Sequence, residues 1–89
     1  METPLQVKSS TIHRYHKDLI KLSLQSLELP SADRDISAIT MGLTPKQFDH
    51  VKRRLAEFRD SLQQEIQDME EPATMVAQLN MQLFPVTEK

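Results

Sequence analysis

Apolar residues recur along the chain in two rhythms, and each rhythm predicts a different element. In the first third, Ile12, Tyr15, Leu19 and Leu22 fall three or four residues apart, and Ile20, Leu24 and the pair Leu27/Leu29 widen the face. That spacing predicts an amphipathic helix covered by more than one neighbour. Ser10 or Thr11 supplies a hydroxyl that can cap its start. Pro30 disfavours the helical conformation at Leu29 and ends it. Residues 1–9 are polar, contain Pro4 and read as a flexible lead-in to a single α/β domain over 10–87.

After a turn at Ser31-Ala32-Asp33 the rhythm changes. Asp35 to Leu43 has few strong helix formers. Ser37, Ile39, Met41 and Leu43 alternate with Ile36, Ala38, Thr40 and Gly42. Apolar residues on both sides of the alternation predict a strand covered on both faces, with a short helix as the competing reading. Thr44-Pro45-Lys46-Gln47 then places a hydroxyl at an N-cap, a proline at the first helical position and a glutamine at the third. This is a capping box with its φ pre-set. Phe48, Val51, Leu55, Phe58, Leu62, Ile66 and Met69 follow as one stripe, flanked by i,i+4 charge pairs Asp49–Arg53 and Arg53–Glu57. Glu70-Glu71-Pro72 stops the helix. Met75, Ala77, Leu79, Met81 and Leu83 alternate with Val76, Gln78, Asn80, Gln82 and Phe84, a period of two that predicts a half-buried strand ending at Pro85.

The expected fold is therefore α+β, in the order α-β-α-β. Its two strands are separated by a helical crossover, which makes a parallel, right-handed connection the default. A two-stranded sheet is marginal alone, and an unpaired edge with an apolar face invites another strand. The small sheet is expected to be completed by a partner subunit or another segment.

Composition narrows the function classes. The chain has 89 residues, a formal charge of −2 and a pI near 5.9. Near-neutrality argues against a protein built mainly to coat nucleic acid or an anionic membrane. A domain this small has a modest core, so help from a second subunit is expected. Without cysteine there is no disulfide, thiolate metal site or cysteine nucleophile. No apolar run reaches the roughly 20 residues of a membrane span, and the N-terminus lacks a signal-peptide core. The default location is cytoplasmic, with no membrane partner.

Candidate chemistry is sparse. His13 and His16 stand at i,i+3, but no third ligand lies near them in sequence, and interface or surface histidines are the better reading. Lys46, Lys52, Arg53, Arg54 and Arg59 make one side of the second helix basic, yet Asp49, Glu57 and Asp60 interleave with them as in a solvated face. Met41, Met69, Met75 and Met81 fall on faces expected to be buried. Arg34-Asp35 is the remaining constellation. Ser31, Asp33, Ser37 and Thr40 near it belong to no nucleophile motif, and Gly42 is the single glycine, so no glycine-rich loop exists. The pair reads as structural, with the arginine fork reaching a carboxylate on a neighbouring element or subunit. No enzyme activity, cofactor, metal site or small-molecule ligand is expected.

Four stretches carry a resemblance: YHKDLIKLSLQSL, RDISAITMGL, VKRRLAEFRDSL and VAQLNMQLFPVT. Together they resemble the C-terminal domain of an uncharacterised bacterial paralogous family, a domain of unknown function, over Val7–Thr87. Tyr15-His16, Arg34-Asp35-Ile36-Ser37, Thr40 and Leu83-Phe84-Pro85 are its most specific pieces. Ala77 departs from the family pattern, which more often has tyrosine there. Longer members resemble transcriptional regulators with a helix-turn-helix or winged-helix half before this domain. The resemblance implies a dimerising, regulatory module, a homodimer that meets DNA only through that half. The alternative is a stand-alone protein-interaction module. Candidate interface residues are Tyr15, His16, Met75, Leu79, Met81, Leu83 and Phe84.

Overall fold

The computed structural model describes residues 4–87. It contains two α-helices, α1 (Pro4–Leu24) and α2 (Pro45–Asp68), and two short 3-10 segments, Gln25–Glu28 and Ser31–Asp33. Among the described residues there is no strand and no sheet. The expected α+β fold is therefore corrected to an all-helical one. The chain divides into two units, Met1–Ala38 and Ile39–Lys89.

In the first unit, α1 already runs at Pro4, so residues 4–9 of the expected lead-in are helical, and residues 1–3 of it lie outside the described residues. Proline is well suited to a first helical turn because its missing N–H would have no intrahelical acceptor there. The far end tightens. The Ser23 hydroxyl donates to Ile20 O, and the Ser26 hydroxyl donates to Ser23 O at 2.6 Å. Serine hydroxyls that bond back along a helix compete for its carbonyls. Here they accompany the passage from α1 into the 3-10 segment Gln25–Glu28. Leu29 then turns extended (φ −78°, ψ 152°), as a residue before proline should. A single 3-10 turn over Ser31–Asp33 follows, closed by Asp33 N–H donating to Pro30 O at 2.9 Å.

The second unit is organised by α2. Its start follows the sequence expectation. Gln47 N–H donates to Thr44 Oγ1 at 3.1 Å, and Thr44 N–H donates to Gln47 Oε1 at 2.9 Å, with Pro45 at the first position. The helix runs 24 residues. It ends with Met69 still in helical geometry and Glu70 at φ +52°, where Glu70 N–H donates to Gln67 O at 3.2 Å. This is half of a Schellman closure, with glutamate in the left-handed position that glycine usually fills.

The two expected strands fail for one reason. A period of two specifies faces, whereas a strand exists only when a neighbour supplies ladder hydrogen bonds. Residues 35–43 run as irregular chain into the α2 cap, and residues 75–84 are likewise irregular. Gln78 Nε2 still donates to Asn80 Oδ1 at 3.0 Å, so these alternate side chains share one side of the chain, as in an extended segment.

Candidate interaction surface

No side chain is buried among the described residues. Charged and apolar groups alike face outward, and this decides how the expected site residues must be read.

In the first unit, Arg34 is one of the few half-buried side chains, with Leu19, Ser23 and Ser26. The turn at Ser31–Asp33 and the extended backbone of Arg34 itself (φ −146°, ψ 158°) send its guanidinium back to the end of the helical segment. Nη1 donates to Leu27 O and, at 3.3 Å, to Ser26 O. A cation on the last carbonyls of a helix meets the negative end of the dipole; here Ser26 O also accepts from Leu29 N–H at 3.2 Å, so the guanidinium shares that acceptor. No ion pair involves Arg34 or Asp35 among the described residues; the arginine's partners are carbonyls, where the sequence suggested a carboxylate. Tyr15 and His16 sit on α1 with ring centroids 5.6 Å apart and planes tilted by 59°. Both are exposed, as are Ile12, Ile20 and Leu22.

In the second unit, the α2 stripe splits. Phe48, Val51, Leu55 and Leu62 are half-buried, while Phe58, Ile66 and Met69 stand 54%, 61% and 58% exposed. Of the candidate interface residues beyond the helix, Met81 and Leu83 are half-buried, and Met75, Leu79 and Phe84 are exposed. Met69, expected on a buried face, is thus exposed together with its stripe neighbours Phe58 and Ile66, as are Met41 and Met75. The stripe itself was the available signal, but it identifies an apolar face without saying what covers it.

Lys46, Asp49, Lys52, Arg53 and Ala56 line a shallow open depression along α2. An acid stands among its cations, and ion pairs elsewhere on the helix are loose: Arg54–Glu57 at 3.8 Å and Arg59–Asp60 at 3.5 Å, all well exposed. Neither i,i+4 pair read from the sequence, Asp49–Arg53 or Arg53–Glu57, is formed among the described residues. Among the described residues no three His, Asp or Glu side chains are grouped to hold a metal ion, and no helix is long and apolar enough to cross a membrane.

Comparison with known proteins agrees with the family resemblance at its coarser level. A family model described as "Domain of unknown function (DUF4423)" matches residues 1–86, and the chain belongs to that family. No curated protein and no solved structure matches it.

Proposed function

We propose, taking that membership as the starting point, that the chain is a non-catalytic, cytoplasmic association module that forms a homodimer and serves as the regulatory half of a transcriptional regulator. The observation that carries the association reading is that no side chain is buried among the described residues, combined with large exposed apolar groups on both units. Burial is worth roughly 25 cal/mol per Å² of apolar surface, so surfaces left this open are strongly driven to find cover. The regulatory part rests on the resemblance to longer proteins with a helix-turn-helix half, through which DNA would be met. A heterologous interaction module is the competing reading, favoured by the exposed face of α1 at Ile12, Tyr15 and Leu22.

Light scattering coupled to size exclusion tests the association. A mass of two chains at micromolar concentration is expected. A clean monomer at high micromolar concentration would remove the homodimer and leave the heterologous module.

A further inference from the structure

The uncovered end of α2 is apolar and acidic, and calls for a partner of opposite charge: we infer that Phe58, Ile66 and Met69, with Glu65, Glu70 and Glu71 beside them, form a docking surface for an amphipathic, lysine- or arginine-rich segment of another protein. The inference goes beyond the homodimer reading and holds whether the chain is one copy or two.

Two observations place the surface. The α2 stripe is partly covered only as far as Leu62, and from Gln63 to Leu79 every residue is exposed. Phe58, Ile66 and Met69 are each more than half exposed. At about 100° per residue these three share a sector of about 80°, and Glu65 borders it. Glu70, in its left-handed turn, and Glu71 follow directly on Met69.

Charge identifies the occupant. From Asp60 to Thr87 the chain holds Asp60, Glu65, Asp68, Glu70 and Glu71, and no lysine, arginine or histidine. Among the described residues only Asp60 of these acids is in an ion pair, with Arg59 at 3.5 Å, and Asp68 accepts from Gln64 Nε2 at 2.9 Å. The last turn of α2 carries no base, so its acids meet the negative end of the helix dipole uncompensated. That arrangement is unfavourable in the free chain, and a cationic partner relieves it. The same charges repel nucleic acid and anionic lipid, and a purely apolar partner would leave them unanswered. A segment with an apolar ridge and a basic rim answers both halves of the surface: the ridge covers Phe58, Ile66 and Met69, and the rim meets the carboxylates.

The probe is a labelled helical peptide of leucine and lysine, titrated with the full-length chain in fluorescence anisotropy, with its leucine–glutamate counterpart as control. The lysine peptide should bind, more weakly as salt rises, and the glutamate peptide should not. Glu65→Gln/Glu70→Gln/Glu71→Gln should weaken binding severalfold and yet raise the thermal midpoint of the free chain, because it removes acids from the negative end of α2. Asp18→Asn/Glu28→Gln/Asp35→Asn makes the same charge change in the first unit and should leave binding unchanged. Ile66→Ser/Met69→Ser should weaken binding severalfold with the acids intact; circular dichroism checks that helix content is kept. No binding of the lysine peptide, equal binding of the glutamate peptide, equal loss from the two triple variants, or undiminished binding by Ile66→Ser/Met69→Ser would each overturn the surface. Weaker binding accompanied by a lower midpoint in the glutamate triple variant would overturn it too, since those acids would then serve the fold.

Discussion

Arg34 donates from Nη1 to the carbonyl of Leu27, seven residues earlier, so a side chain beyond Pro30 closes the helical segment that Pro30 interrupts. The same nitrogen reaches Ser26 O at 3.3 Å. The arginine thus works as a remote C-cap. Its position depends on the 3-10 turn at Ser31–Asp33 bringing the chain back.

Removing that cap leaves Leu27 O to water and loosens the 3-10 segment Gln25–Glu28. Arg34→Ala is expected to cost about 1 kcal/mol and to lower the thermal midpoint followed by circular dichroism. Arg34→Lys should recover part of the loss, since it keeps the charge and loses the planar fork. Asp35→Asn should change little. An equal loss from Asp35→Asn would show that the pair, not the carbonyl cap, holds the turn.

Thr44 and Gln47 satisfy each other's backbone N–H groups. Thr44→Ala should therefore cost roughly 0.5–2 kcal/mol and reduce helicity at the α2 start. Gln47→Ala should cost less, because it removes only the return bond. Amide hydrogen exchange at residues 45–48 reads both losses, and unchanged protection in Thr44→Ala would refute the role of the cap.

Glu70 occupies the left-handed region at φ +52° just beyond α2. A glycine there meets no Cβ penalty. Glu70→Gly is expected to stabilise the fold by about 0.5–1 kcal/mol in urea unfolding, against the usual effect of adding glycine. A destabilised Glu70→Gly variant would mean that the left-handed turn is not kept in solution.

Ile66 is exposed on the α2 stripe. Ile66→Asp should leave monomer helicity nearly unchanged while abolishing association in light scattering. Loss of helicity at concentrations where the chain is already monomeric would place Ile66 in an intramolecular core instead.

These outcomes depend on parts of the molecule that differed in how far they could be read from sequence. The start and end of α2 were legible because their determinants are local: a cap, a proline and a glutamine within four residues, then two acids before Pro72. Leu29–Pro30 was legible on the same ground. The alternation at 75–84 misled because it records two faces and is silent on a ladder partner. The carbonyls that Arg34 meets were hidden for a different reason, since they depend on how the chain folds back after Pro30. Exposure of Phe58, Ile66 and Met69 was hidden too, because an apolar stripe looks the same whether its cover comes from within the chain or from outside it.

The capping box has a consequence for recognition. Everything that fixes the beginning of α2 lies within three residues of Thr44, and the helix is longer than the 12–15 residues below which isolated helices are marginal. In the proposed association a partner would therefore meet a formed rod, not a chain that must be ordered on contact. Ordering backbone at the moment of binding would cost on the order of 1–2 kcal/mol per residue. Pre-organisation would remove most of that cost from the proposed encounter, so α2 would engage at concentrations where a disordered segment with the same apolar residues would remain free.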